Sequence, residues 1–505
     1  MTLGSVSADG ATGRHLLLRG GHVLDPASGR DEVADVAVRD GRIAAVGPDL
    51  PVEPGVEVHD VRGRHVVPGL IDIHMHAFGG IGFSDSDTVG VRSGVTTLCD
   101  AGGAGAWSFP DMSAQLAGRL RTDLYSWMYM GPSGIAVSLI GEEQQKDIRS
   151  IVPVIPVTDM FELVDRHRDT IAGMKVPAFG PTGEIGPMTL AKGLARSLGL
   201  PLYIHVGDIQ ERQPLPLDMD AIIDLLDPCD TVTHCYSPNP NSLFRSETEL
   251  YPSIAAAIER GVGFDVGMGA FNFDFRIARR SMELGFLPTT LSSDLQQANV
   301  TGPTYSLVNV MGMFLAMGMS LREILPMVTT NAAERLRAAD RHGSLAVGRA
   351  ADITVLDLVS APTEFADTVG GRLTGAQRLD VVFTAKHGEI VYPDAAAAQD
   401  PGNWSNFLAF AEDEVPEAAL GYDAGRRALL GRLADVLEGL DSWAPLVVQE
   451  ATTTVLVADP LGRGDAGRAV LGAFLHPVFP QSPGYFLSTH DRGFVLERLR
   501  RVATA

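Results

Sequence analysis

Residues 68–80, PGLIDIHMHAFGG, set His74 and His76 two positions apart at the end of an apolar run that stops in Gly79 and Gly80. In an extended strand, residues i and i+2 face the same way. Both imidazoles would therefore aim at one point just past the strand end, a geometry for gripping a cation. Taken alone, a His-x-His is more often an ordinary strand end whose histidines bond to water or backbone, so the decision lies in the rest of the chain.

Residues 67–340 alternate short apolar or β-branched runs with longer helical patterns, as βα units do. Strands are expected to end near His74, Asp100 (GVTTLCD), Met130 (DLYSWMYM), Lys175 (IAGMK), His205 (PLYIH), His234 (TVTH), Asp265 (VGFD) and Asp294 (TTLSSD). Eight such strands predict an α/β chain built on a (β/α)8 barrel. Most of them finish on an ionisable residue, and in this fold the active site is built at the C-terminal strand ends. Residues scattered over 220 positions of sequence thus become one cluster, from His74 to Asp294.

Residues 1–66 read as short strands, with Asp40-Gly41 as a hairpin signal. A similar texture returns over residues 341–397, in GSLAVGRAADITVLDL and DVVFTAKHGEIVYPD. The two flanks are expected to pair into one discontinuous β-sandwich. Residues 398–505 form a separate α+β extension with no function legible in it. Its GRGDAG lacks the lysine and the strand-to-helix context of a phosphate loop.

The net charge of −22 over 505 residues repels nucleic acid phosphates and anionic membrane surfaces, which excludes both as partners. The first residues lack the charged start and apolar core of a signal peptide, and no apolar run approaches the roughly 20 residues needed to span a bilayer. The expected location is cytoplasmic, consistent with three cysteines that form no Cys-x-x-Cys pair. A small-molecule substrate and a homo-oligomer are the expected partners.

Two adjacent divalent ions need neutral imidazoles, carboxylate-type oxygens and a bridging group. His74, His76 and Asp294 could surround one ion, since strand eight neighbours strand one across the barrel closure. His205 and His234 could hold the second. Lys175 lies between them, but an ammonium has no lone pair and cannot bridge metals. Addition of carbon dioxide to its amine gives a carbamate, a long-armed carboxylate whose oxygens can each take one metal.

PGLIDIHMH, the lysine of IAGMKVPAFG, the histidines of YIHVGD and VTHCY and the aspartate of LSSDLQQANVTGPTYSL resemble the amidohydrolase superfamily. GVTTLCDAGGAGAWSF, FDVGMGAFNF and MGMFLAMGMSLREILPMVTTNAAERL resemble its deacetylase-like branch, often described as dihydroorotase-like. The resemblance covers roughly residues 15–395. It implies a distorted TIM barrel with a β-sandwich and two divalent ions, usually zinc. His74, His76 and Asp294 would hold one ion, His205 and His234 the other, with N6-carboxylated Lys175 and a hydroxide bridging both. Asp294 would act as the general acid/base.

The chain also departs from these relatives. Dihydroorotases continue the His-x-His with an arginine that holds the substrate carboxylate; here Ala77-Phe78 follow. Met268 stands where many deacetylase-like relatives carry histidine, and Pro177 stands where a basic residue is common. Met268 and Phe271 are thus expected to line a more apolar substrate pocket. Asp100 and Asp265 are expected to cap a helix or orient a neighbour, and His342 to belong to no functional cluster.

Two function classes follow. One is a metal-dependent hydrolase of a small-molecule amide or ester, with cyclic amides of the dihydroorotase, hydantoinase or imidase kind as the alternative substrate. The other is a non-catalytic interaction protein on the same scaffold.

Overall fold

A computed structural model describes residues 15–393 apart from 79–81, 84, 117, 133, 136–154, 179–184, 209–216, 247–248 and 298, together with parts of 415–504. The chain separates into two compact units, Met1–Ala398 and Gln399–Ala505.

In the first unit, strands from both flanks share one hydrogen-bonded sheet. Its strands are β1 (His15–Asp25), β2 (Arg30–Arg39), β3 (Arg42–Gly47), β4 (Glu57–Asp60), β5 (His65–Pro68), β15 (Ile353–Ala366), β16 (Arg372–Lys386) and β17 (Glu389–Val391). Their order is β17-β16-β15-β5-β1-β2-β3, with β4 also paired to β1. Residues Asp40 and Gly41 join β2 to β3 with φ of 51° and 71°, both in the left-handed region. This is the conformation a two-residue hairpin turn demands and Asp-Gly tolerates. The junction between the flanks is the antiparallel pairing of β5 with β15, Val66 opposite Val355. Buried Leu16, Leu18, Val36, Val66, Val355 and Phe383 pack its core.

The barrel runs β6 (Leu70–Met75), β7 (Val95–Ala101), β8 (Asp123–Tyr129), β9 (Ile171–Pro177), β10 (Leu202–His205), β11 (Thr231–Thr233) and, after a small hairpin of β12 (Phe244–Ser246) and β13 (Glu249–Leu250), β14 (Gly263–Asp265). The seven barrel strands are parallel and adjacent in sequence order. All residues of β6 and β7 are buried, as expected where helices cover a parallel sheet. Trp127 stacks on Tyr203 with ring centroids 4.6 Å apart, and its indole N–H donates to the Ile73 carbonyl at 2.8 Å.

The eighth strand takes an irregular form. Residues 290–295 close the ring through two parallel bridges, Asp265 to Thr290 and Met75 to Leu295. The ladder breaks because Asp294 has φ of 49°, a left-handed conformation that aspartate adopts more readily than most residues. Asp72 holds the Ser293 hydroxyl and, at 3.1 Å, its backbone N–H, while the Asn299 amide donates to the Asp294 carbonyl at 2.9 Å.

At the opposite end of the barrel, where β8 begins, the Lys386 ammonium lies 2.5 Å from Asp123 and 2.7 Å from Asp352. His342, expected to stand apart, joins this buried group and meets the Tyr125 hydroxyl at 2.9 Å.

The second unit is helical among its described residues, with no strand. Asp423 caps helix Ala424–Glu438 by accepting from the Arg426 N–H at 2.8 Å. Leu429, Leu433 and Leu437 pack with Val495, Leu499 and Val502 of helix Arg492–Thr504. Most of GRGDAG lies outside the described residues. Among the described residues no helix is long and apolar enough to cross a membrane.

Candidate metal centre

All six predicted ligands converge at the C-terminal strand ends. His76 Nε2 and Asp294 Oδ1 lie 2.9 Å apart, and His74 Nε2 lies 3.3 Å from the same oxygen. The three residues are buried and bring their ligand atoms within 4.8 Å of one another. Lys175 Nζ sits 3.3 Å from His74 Nε2 and 4.5 Å above the Tyr203 ring. Lys175 forms no ion pair with a carboxylate among the described residues.

His205 and His234 make the second group, with His234 Nε2 facing His205 Nδ1 at 2.9 Å. Their other nitrogens face backbone carbonyls. His234 Nδ1 lies 2.7 Å from the Gly267 carbonyl and His205 Nε2 lies 3.2 Å from the Gly207 carbonyl. A carbonyl only accepts, so a neutral ring that donates there turns an unprotonated nitrogen toward the other. Two lone pairs facing at this distance repel unless a proton or a metal cation lies against them. The donor set fits divalent metal ions on this ground.

Charge states agree with ligation. Burial, reinforced by Lys175 and the other histidines, holds His74 well below the usual imidazole range. Burial and His205 do the same to His234. Burial pulls the Lys175 ammonium down to about 8, against the opposing pull of Asp294 and Asp265. Its neutral amine is therefore accessible near neutral pH, and that is the form able to add carbon dioxide.

A polar scaffold surrounds these groups. Asp100 accepts from the N–H groups of Ala77 at 2.8 Å, Phe78 at 3.2 Å and Gly103 at 2.6 Å, fixing the turn that follows His76. Asp265 is fully buried and accepts from the hydroxyls of Tyr203, Thr233, Thr290 and Ser292 at 2.6 to 2.8 Å. Gly267 and Gly269 have φ of 49° and 60°. A Cβ on Gly267 would approach His234 Nδ1 to 2.9 Å and His74 Nδ1 to 3.0 Å, and one on Gly269 would collide with Asp294 Oδ2. Met268 between them is fully buried, and Phe271 is half-buried with its carbonyl accepting from Asn239 at 2.8 Å.

Sequence reasoning passed over Asp72, Tyr203, Thr233, Ser292 and the two glycines. Asp72 stands inside the DIHMH stretch, and Gly267 and Gly269 flank Met268, so adjacency to singled-out residues was the available signal. The hydroxyl residues gave none.

Residues 287–392 match the amidohydrolase family. Over 365 residues the chain is 30% identical to a deacetylase of Agrobacterium fabrum, spanning 71% of this chain and 85% of that protein. Among solved structures, an adenine deaminase superimposes with a TM-score of 0.66 at 24% identity, over 75% of this chain and all of the other. A dihydroorotase superimposes with a TM-score of 0.64 at 27% identity, over 75% of this chain and 97% of the other. The chain belongs to the amidohydrolase superfamily, in its deacetylase-like branch, and is a metal-dependent hydrolase.

Proposed function

We propose that the chain hydrolyses a small-molecule amide or ester in a deacetylase-like reaction at a binuclear centre. His74, His76 and Asp294 would hold one ion, His205 and His234 the other, and N6-carboxylated Lys175 both. Zinc suits the predominance of imidazole ligands. The observation that carries this reading is the pair of facing nitrogens, His205 Nδ1 and His234 Nε2, 2.9 Å apart. The absence of a carboxylate partner for Lys175 among the described residues supports it further.

Bound divalent ions would polarise the substrate carbonyl and acidify water. Asp294 is the carboxylate placed to take a proton from the attacking water and return it to the leaving group, its Oδ1 lying 2.9 Å from His76 and 3.3 Å from His74. Asn299, through the Asp294 carbonyl, and Asp72, through Ser293, hold that carboxylate in place. Lys175 contributes its amine nitrogen, which on adding carbon dioxide releases a proton and becomes an anionic oxygen ligand.

Cyclic amides are the second reading, supported by the structural likeness to a dihydroorotase. Against dihydroorotate itself, Ala77 and Phe78 offer no cationic side chain to a carboxylate and direct their N–H groups to Asp100. A substrate pocket walled by Met268 and Phe271 would be apolar, in keeping with that lack. The residue 399–505 unit is proposed as a subunit contact; truncation near 398 that left oligomeric state and solubility unchanged would remove that role.

Metal analysis and a hydrolysis screen test the proposal. Purified protein should carry close to two divalent ions per chain, and none after metal-supplemented expression would overturn the binuclear reading. Lys175→Ala should lose most metal and activity, with short carboxylic acids restoring part of both. N-acyl amino acids, acyl esters, cyclic imides and hydantoins, offered to metal-loaded enzyme, separate the substrate classes.

A further inference from the structure

His74 differs from the other site histidines in what its second nitrogen meets. His234 and His205 each face a backbone carbonyl, which fixes their tautomers. His74 Nδ1 instead lies 3.0 Å from two hydroxyl oxygens, Thr233 Oγ1 and Tyr203 OH. A hydroxyl can donate or accept, so by themselves these two would leave the ring free to hold its proton on either nitrogen. The other tautomer has an attraction of its own, because a proton on Nε2 would lie near Asp294 Oδ1, 3.3 Å from that nitrogen.

Asp265 removes the ambiguity. Its Oδ2 lies 2.6 Å from the Tyr203 hydroxyl and 2.8 Å from that of Thr233. Each hydroxyl has one proton, and it goes to the carboxylate oxygen at 2.6 to 2.8 Å rather than to the imidazole nitrogen at 3.0 Å. With both protons directed to Asp265, both oxygens present lone pairs to His74, whose Nδ1 must then be the N–H donor. Its Nε2 is left bare toward Lys175 and Asp294. Ser292 and Thr290 add bonds of 2.6 and 2.7 Å, satisfying a carboxylate that is fully enclosed.

We infer that Asp265, through the hydroxyls of Tyr203 and Thr233, is a positioning residue that fixes the His74 tautomer with Nε2 unprotonated, and so keeps this imidazole able to bind a metal ion. The inference rests on the proposed metal centre only for its consequence; the tautomer itself is a property of the metal-free chain. Outer partners of this kind commonly change metal affinity by about 10- to 100-fold when removed.

The test uses the full-length chain labelled with 15N-histidine and stripped of metal, with the His74 signals identified by their loss in His74→Asn. The wild-type ring should show a protonated Nδ1 and a bare Nε2. In Asp265→Leu no acceptor remains for the Tyr203 and Thr233 hydroxyl protons, which frees one of them to turn toward His74 Nδ1 and should move the ring proton to Nε2. Zinc affinity by chelator competition should fall about 10- to 100-fold in the same variant. The combined Tyr203→Phe and Thr233→Val variant leaves Asp265 with Ser292 and Thr290 and should lose the fixed tautomer too, which keeps the test open if Asp265→Leu folds poorly. A wild-type ring protonated on Nε2, or variants that lose thermal stability while keeping the wild-type tautomer and zinc affinity, would overturn the inference and reduce Asp265 to a closure residue of the barrel. Should the wild type take up no zinc, the binuclear proposal fails, and the tautomer measurement still decides the role of Asp265.

Discussion

The barrel buries a lysine, histidine and carboxylates at each of its two ends, and the ends do opposite things with them. At the base, Lys386 lies between Asp123 and Asp352, with His342 within 4.0 Å of both carboxylates. At the top, Lys175 has histidine nitrogens and an aromatic ring as neighbours. Distance alone does not tell them apart, since Asp123, His342 and Asp352 gather ligand atoms as tightly as His74, His76 and Asp294 do. The difference lies in charge. The base supplies its own cation, so its carboxylates are satisfied without a metal. The top supplies imidazole lone pairs and a lysine drawn toward neutrality, so the cation must come from outside. This matches the division of labour in such barrels, with chemistry at the C-terminal face and stability at the other.

The largest expected effect lies at the top. Asp294→Asn keeps a ligating oxygen but cannot accept a proton near neutral pH, so metal content should survive largely intact while kcat falls by roughly 10²–10⁴. The loss should shrink on substrates with good leaving groups, and equal losses on activated and unactivated substrates would deny Asp294 its proton-transfer role.

At the base, Lys386→Met strands two buried carboxylates and should cost about 3–5 kcal/mol in denaturant unfolding without altering metal content. The pH response should also reverse. Burial opposes ionisation of Asp352, but Lys386, His387 and His342 outweigh it and hold the carboxyl below its usual value. A depressed carboxyl stabilises the fold above its unfolded pKa, and that contribution is lost as pH falls through the folded one. Without Lys386 the two carboxylates repel, and acid should then stabilise. If added zinc rescued Lys386→Met, the base would be an ion site and the contrast would collapse.

Zinc at about 100 times its Kd should raise unfolding stability by about 2.7 kcal/mol for each independent site. The share of the site formed by His74, His76 and Asp294 should be lost when His74 and His76 are both changed to alanine, and the whole gain should persist in Lys386→Met. Smallest of all, Tyr125→Phe deletes the hydroxyl beside His342 and should cost about 1 kcal/mol, with kcat unchanged; a change in turnover would mean that the two ends communicate.

What was legible in the sequence follows from the same physics. The strand-end ligands could be read because the barrel gathers C-terminal ends, so sequence order translates directly into proximity. Asp294 could be named as a ligand, but its left-handed backbone could not, since aspartate occurs in both conformations. The partners of Asp265 come from β10, β11 and the closing segment, and hydroxyl side chains are too common in strands to stand out. Lys386 and Asp123 meet across 263 positions, and nothing local marks either one.

The pairing of β5 with β15 has a consequence for synthesis. Val66 waits for Val355, 355 − 66 = 289 residues later. At roughly 5–20 residues per second, the ribosome needs about 15–60 s to deliver that partner. Throughout that interval the outer edge of β5 lacks its hydrogen-bonding neighbour, and an open strand edge is a template for pairing with the wrong chain. The nascent polypeptide therefore depends on chaperone cover or rapid barrel collapse for longer than its individual βα units would suggest.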